Sequence, residues 1–241
     1  MKIVLLTDIH GNLPALTAAL EVIRQEGYDL LIHTGDAIGI GPYPAESIDL
    51  LLQQPRLQLI RGNHESRFVQ GLPPQRPPGM EKLKFNHRSW ITAQLRAELR
   101  PFIAQWPFQV KYTVQGLRLS FLHYALTPTG DSFQPVVFQP TATALDELFA
   151  GVDADIICYG HHHPPSDLTG RARYFNPGSL GCAVEPVARF AVLTVTRDGT
   201  YQLEKRAVPY DKRLVVAELF KRQVPGWQFI AKAFFGVSLP G

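Results

Sequence analysis

Met1-Lys2-Ile3-Val4-Leu5-Leu6-Thr7-Asp8-Ile9-His10-Gly11-Asn12 decides the fold: an apolar run from Ile3 to Leu6 stops at Thr7 and Asp8 and turns polar. An unbroken apolar run marks a strand buried on both faces. It is far shorter than the roughly 7–15 apolar residues of a signal peptide. Leu13-Pro14 then opens a segment with Leu16, Ala19, Leu20 and Ile23 at helical spacing, with Pro14 suited to a first turn and Gly27 closing it. Leu30-Leu31-Ile32, Pro44 to Leu52 and Leu57 to Ile60 repeat the alternation, which predicts a βαβαβ unit on a parallel sheet. Each strand runs into a polar cluster: Asp8-Ile9-His10-Gly11-Asn12, Gly35-Asp36 and Gly62-Asn63-His64-Glu65. In open α/β sheets ligands bind at the carboxyl ends of strands.

Residues 66 to 107 break this rhythm. A proline-rich stretch from Leu72 to Gly79 leads into a predicted helix from about Met80 to Leu99, read as an insertion over the sheet edge. The period then changes to two. Phe108 to Val114 and Leu117 to His123 flank a Gln115-Gly116 turn, and Ala188 to Thr196 pairs with Tyr201 to Val208 across Arg197-Asp198-Gly199. Between these hairpins, Asp155 to Tyr159 ends at Gly160-His161-His162-His163, and Arg173 to Phe175 ends at Asn176-Pro177-Gly178-Ser179.

The 241 residues are 45% hydrophobic and 19% charged, which excludes a disordered or fibrous chain. Cys158 and Cys182 are the only cysteines, so neither a disulfide framework nor a four-cysteine zinc site is expected, and a reducing, cytoplasmic setting is. The net charge is +3, yet from Tyr201 onward seven Lys or Arg face three Asp or Glu. The basic bias therefore lies in the tail and is too small to predict a stable nucleic-acid complex. The longest late apolar stretch, from Phe229, is interrupted by Lys232 and falls short of the roughly 20 residues that span a bilayer.

Taken singly, the polar clusters are weak signals. Asp8 and His10 suit one ion, Asp36 has two oxygens that can bridge cations, Asn63 offers an amide oxygen, and His64 an imidazole able to protonate a leaving group. Alone, His123 reads as a core histidine. In Gly160-His161-His162-His163 the outer two rings can share a side while the middle one turns away. Jointly, these blocks place every oxygen and nitrogen donor of a two-metal site at predicted strand ends. Asn12 has two readings, helix cap or donor to a substrate phosphate. His33 and His162 read as structural, Glu65 as a support for the turn at His64, and Asn176 to Ser179 as a brace. His87 and Arg88 read as a solvated helix face, with reach over the site as the alternative.

The ordered set Asp-x-His, Gly-Asp, Gly-Asn-His-Glu, His123 and Gly-His-x-His resembles the calcineurin-like metallophosphoesterase superfamily, from Met1 to about Asp211. The modest insertion looks most like the small YfcE-like phosphodiesterase branch. The resemblance implies a four-layer α/β/β/α sandwich with a small helical insertion over the site, and one domain spanning 1–241 is expected. The insertion is about 66–107, and the tail of about 212–241 has no assigned role. It further implies that Asp8, His10, Asp36 and His163 hold one divalent metal and Asp36, Asn63, His123 and His161 a second, with a metal-bridging hydroxide attacking phosphorus in line and His64 as general acid. Mn, Fe, Zn, Ni and Co all suit such donors, Mn being favoured. The acid and arginine that follow Gly-Asp in the serine/threonine protein phosphatases are replaced by Gly39 and Ile40, which argues against that activity.

The expected activity is therefore hydrolysis of a small phosphodiester, nucleotides included, by a metal-dependent phosphoric ester hydrolase. Phosphomonoesterase, dinucleoside polyphosphate hydrolase and, behind them, a non-catalytic protein-binding scaffold are the alternatives. No membrane contact is expected. The crowd of Trp227, Phe229, Ile230, Phe234, Phe235 and Val237 predicts that the tail docks on the body or joins a homo-oligomer.

Overall fold

The computed structural model describes residues 1–237. In chain order its first half comprises β1 (Lys2–Leu6), α1 (Leu13–Glu26), β2 (Leu30–His33), α2 (Pro44–Leu52), β3 (Leu57–Leu59), α3 (Asn63–Gln70), α4 (Lys82–Gln94) and α5 (Leu99–Ile103). Its second half comprises β4 (Gln109–Val114), β5 (Leu117–Leu122), α6 (Ala142–Leu148), β6 (Ile156–Cys158), β7 (Ser166–Thr169), β8 (Arg173–Asn176), β9 (Val187–Val195), β10 (Tyr201–Pro209), α7 (Lys212–Lys221) and α8 (Trp227–Phe235). Two five-stranded sheets result, ordered β10-β9-β1-β2-β3 and β4-β5-β6-β8-β7.

The period-2 geometry of a strand explains the layers. Ile3 and Leu5 of β1 join Leu119, Phe121, Ile156, Cys158 and Phe175 in a core between the sheets. Val4 and Leu6 point the other way, onto Leu16, Ala19, Leu20 and Ile23 of α1 and Ile48 and Leu51 of α2. On the far face of the second sheet, Ile157 and Tyr174 pack with Leu145 of α6 and with Phe149. The order is thus helix, sheet, sheet, helix, the expected four-layer sandwich. Strands β1, β2 and β3 run parallel in one sheet, and β5, β6 and β8 run parallel in the other. No helix among the described residues is long and apolar enough to cross a membrane.

Several elements depart from the sequence reading. The helix predicted over about 80–99 is two helices, because Leu95 adopts extended backbone and caps α4. The insertion read as beginning at 66 begins inside α3, whose first turn is the Gly-Asn-His-Glu block itself. Helix α6 and strand β7 were not foreseen, nor was the helical form of the tail, where Asp211 caps α7 by accepting from the Arg213 N–H. The tail docks on the body: Val215, Leu219, Val224, Ile230 and Phe235 are buried with Ile40 and Cys182. Arg222 ties it to α2 through Glu46 at 2.7 Å and to the Pro42 carbonyl at 2.9 Å. Residues 238–241 of that tail lie outside the described residues.

Phe235 is fully buried, so Phe235→Ala removes a ring the neighbours cannot replace. The expected cost is about 3–5 kcal/mol, read from the urea unfolding midpoint. A loss below about 1 kcal/mol would mean that α8 does not contribute to the body's core.

Candidate metal centre

The carboxyl ends of β1, β2 and β3 in one sheet and of β5 and β6 in the other meet at one place. Asp8 and His10 follow β1, Asp36 follows β2, Asn63 opens α3 after β3, His123 follows β5, and His161 and His163 follow β6. Holding them there requires unusual backbone. Asp8, His10, Asp36, His161 and His163 all have φ between 50° and 72°, five of the nine non-glycine residues with positive φ among the described residues. That region costs an L-residue roughly 1–2 kcal/mol, and such strain concentrates at functional sites.

Two groups of donor atoms result. In the first, His10 Nε2 lies 2.9 Å from His163 Nε2 and 3.6 Å from Asp8 Oδ1, and His163 Nε2 lies 3.8 Å from that same oxygen. In the second, His123 Nε2 lies 3.1 Å from His161 Nδ1, 3.0 Å from Asn63 Oδ1 and 3.3 Å from Asp36 Oδ2. Asp36 Oδ2 also stands 3.8 Å from His10 Nε2, between the groups.

On Asp8, Asp36 and His123 the outward atoms are engaged so that the converging ones stay free, while His10 Nδ1 is buried without a partner among the described residues. Asp8 Oδ2 accepts from Thr7 Oγ1 at 2.7 Å and from the His161 N–H at 2.9 Å, whereas buried Asp8 Oδ1 has no hydrogen-bond partner among the described residues. Asp36 Oδ1 accepts from the His64 N–H. His123 Nδ1 donates to the Thr34 carbonyl at 3.0 Å, which turns Nε2 inward. Asn63 is the most telling. Its Oδ1 faces three acceptors, Asp36 Oδ2, His123 Nε2 and His161 Nδ1, while its amide nitrogen faces the donors Arg67 Nη1 at 2.8 Å and His64 N at 3.2 Å. A proton on His123 Nε2 would satisfy one of these contacts, whereas a cation among the four atoms satisfies all of them at once. The donor set therefore fits divalent metal ions.

Electrostatics point the same way. Burial disfavours the charged ring of His123, but the Asp36 carboxylate outweighs it and raises the pKa to about 9. Burial, then the His123 charge, lowers His161 to about 4, and burial, then His10, lowers His163 to about 4. Burial opposes ionisation of Asp8 and Asp36, yet the imidazoles around them hold both carboxyls below the usual range. The protein alone thus sets the buried carboxylates of Asp8 and Asp36 against the His123 imidazolium, with a third buried carboxyl, Glu65, raised to about 7 by burial and then by the Asp36 charge.

Around this core, bracing residues act through the backbone. Buried Glu65 accepts four backbone N–H bonds, from Asp36 at 2.7 Å, Ala37 at 2.9 Å, Gly62 at 2.9 Å and Ile38 at 3.3 Å. It clamps the start of α3 to the loop carrying Asp36, the supporting role read from the sequence. Asn176 donates to the Gly160 carbonyl and accepts from Gly178, and Ser179 Oγ donates to the Asp8 carbonyl at 2.7 Å. His162 stacks on Tyr159 and accepts from Asn176, pointing away from the donor groups. His33 is buried, and burial lowers its pKa to about 3.

Asn12 requires a correction. It is fully buried, its Oδ1 caps α1 by accepting from Ala15, and its amide donates to the Gly181 carbonyl and Tyr210 Oη. With every donor used inside the protein, it does not serve a substrate phosphate. Nor are His87 and Arg88 a solvated face: His87 Nδ1 contacts the Pro225 carbonyl at 3.1 Å, and both residues line a cavity with His64. Two neighbours escaped the sequence reading. Cys182, three residues after Ser179, places its sulfur within 4.8 Å of the ligand atoms of His10 and His163. Burial, then Asp8, keeps its thiol pKa well above the ordinary value, so it is a neutral neighbour. Arg67 sits one helical turn beyond Asn63, a spacing that places both on one face of α3.

Replacing Glu65 by Gln would turn an amide N–H₂ onto backbone N–H groups and forfeit hydrogen bonds to a charged acceptor, each worth about 1.5–3 kcal/mol. Glu65→Gln is expected to lose at least about 3 kcal/mol of stability and to bind divalent metal more weakly. Parent-like values of both in denaturant and metal titrations would show that the clamp is dispensable.

Comparison with known proteins agrees with this geometry. The chain is 24% identical over 247 residues to the uncharacterized protein MJ0912 of Methanocaldococcus jannaschii, covering 93% of this chain and 94% of that one. It is 28% identical over 190 residues to the phosphodiesterase YfcE of Escherichia coli, covering 75% and 79%. Its fold matches the crystal structure of the hypothetical protein PH1004 of Pyrococcus horikoshii with a TM-score of 0.80, at 21% identity and 99% coverage of both chains. Residues 1–198 match the family model of the calcineurin-like phosphoesterase superfamily domain, and the chain belongs to that superfamily of metal-dependent phosphoric ester hydrolases.

Proposed function

We propose that this protein is a phosphodiesterase working with two divalent cations. The observation that carries the reading is the pair of donor groups sharing Asp36 Oδ2, with Asn63 Oδ1 aimed into the second of them. Asp8, His10, His163 and Asp36 would hold one cation, and Asp36, Asn63, His123 and His161 the other. When bound, the cations supply Lewis-acid charge to the phosphoryl oxygens and make a water acidic enough to attack at neutral pH. Manganese is the favoured pair, since donors of this hardness suit it.

His64 is the proton donor in this reading. Its ring lies 5.0 Å from that of His10, centroid to centroid, and it lines the adjoining cavity. Among the described residues no acid pairs with its ring; instead it packs on Gly39, where a Cβ would overlap Nδ1. Burial holds its pKa well below the ordinary value, partly offset by Asp36. An anionic phosphoryl group beside it would favour the imidazolium, so the proton is loaded as substrate binds.

The diester preference is supported by two cavities. One of about 710 Å³ adjoins His64 and Arg67, and another of about 230 Å³ adjoins Asn63, Arg67 and His161. A diester has two arms to seat and a monoester one. Similarity to a protein named phosphodiesterase YfcE supports the same choice. The tail belongs to the same domain in this reading, because Phe234 of α8 packs 6.0 Å from the His163 ring. The partner in this reading is a small phosphate ester, and a reducing, cytoplasmic setting is consistent with free, buried Cys158 and Cys182.

Asp36→Asn is expected to lose most of both metals and all turnover. His64→Ala should keep its metal but cleave diesters with poor leaving groups about 10²–10⁴-fold more slowly, with a smaller loss on bis(p-nitrophenyl) phosphate. Metal analysis and kinetics of both variants test this. Full turnover by His64→Ala on an alkyl diester would remove His64 as the acid, and faster cleavage of p-nitrophenyl phosphate than of its diester would indicate a phosphomonoesterase.

A further inference from the structure

The insertion and the tail meet over the site. Helix α4 reaches the turn that leads into α8 through the contact of His87 with the Pro225 carbonyl, and a cavity of about 710 Å³ is lined by residues of both helices together with His64 and Arg67. A smaller cavity of about 200 Å³ shares His64, Arg67, His87 and Arg88 with it. Together they have the size of a small-molecule cleft.

The wall has two chemistries. Arg67, Lys84 and Arg88 line it, and none forms an ion pair with a carboxylate among the described residues, Glu81 on the same wall included. Burial, then the like charge of Arg67, lowers the Arg88 pKa, so two guanidinium groups are held near one another without compensation. Arg67 Nη1 lies 2.8 Å from the Asn63 amide nitrogen, and with Asn63 Oδ1 turned to the donor groups, two donors stand side by side where an acceptor is needed. The opposite rim is apolar: Phe138 is 74% exposed and Phe229 64%, beside Phe234 and Ile230. Rings so exposed around a cationic floor suit an organic body carrying an anion.

We infer that the substrate is a phosphodiester extended on the His64 side by a ring-bearing arm that ends in a second anionic group, the ring lying on Phe138, Phe229 and Phe234 and the anion on Arg67 and Arg88. This rests on the phosphodiesterase reading, with Asn63 as a metal ligand. The α4–α8 roof is then the specificity element of the enzyme, and the two-metal core is the part indifferent to what the arm carries.

The test compares thymidylyl-(3′→5′)-thymidine with its 5′-phosphorylated and 3′-phosphorylated forms, using manganese-loaded full-length protein and chromatography of products. At least one phosphorylated form should show kcat/KM about tenfold or more above the unphosphorylated dinucleotide, as expected for one charge-assisted pair. In Arg67→Gln/Arg88→Gln that ratio should fall to near one, and Arg67→Lys/Arg88→Lys should keep part of it. A wild-type ratio near one, with bis(p-nitrophenyl) phosphate still cleaved, overturns the anion subsite and leaves the phosphodiesterase reading standing. A high ratio that survives in the glutamine variant overturns the assignment to these arginines. Cleavage of no diester at all overturns both readings.

Discussion

Lone pairs crowded against lone pairs are the constraint on which this structure turns. His10 Nε2 and His163 Nε2 stand 2.9 Å apart, and His123 Nε2, His161 Nδ1 and Asn63 Oδ1 lie within about the same span, so single protons bridge some of these contacts and leave others, such as buried Asp8 Oδ1, without a partner. Five strained backbone positions hold them in place. A fold tolerates this only when something bound in the native state repays it, and a cation is the one partner that satisfies imidazole, carboxylate and amide oxygen at once.

The layered fold supplies the rigidity that such crowding needs. Two parallel strand sets, one from each sheet, end side by side because Ile3, Leu5, Phe121 and Cys158 lock the sheets face to face. Glu65 then joins the β2 loop to α3, and Asn176 with Ser179 joins the β6 loop to the end of β1. These bonds go to backbone groups, so they fix the path of the chain and leave the donor atoms free. Above them α4, with Ile91 as its buried residue, and α8, which turns Phe229 outward while burying Phe235, line the adjoining cavity.

Much of this was legible in the chain because the signals were local. The run Ile3 to Leu6 followed by Asp8 and His10 announces both a buried strand and what its end carries. His123 was ambiguous alone and became readable only through its place in an ordered set. What escaped lacked a period or a local partner. Strand β7, Ser166–Thr169, is a polar edge strand without apolar alternation. In α8, Trp227–Phe235, Gln228 and Lys232 are the polar residues, too few to tell buried Ile230, Ala231 and Phe235 from their apolar neighbours. Asn12 was undecided because its partners, Gly181 and Tyr210, lie far along the chain. Arg67 and Cys182 gain their meaning only from the folded neighbourhood of Asn63 and His10.

Anomalous diffraction from crystals of the manganese-loaded protein tests the central claim most directly. The account predicts two peaks about 3.5–4 Å apart on either side of Asp36 Oδ2, one among Asp8, His10 and His163, the other among Asn63 Oδ1, His123 and His161. A single peak, or an Asn63 amide turned with its nitrogen toward His123 and His161, would contradict it.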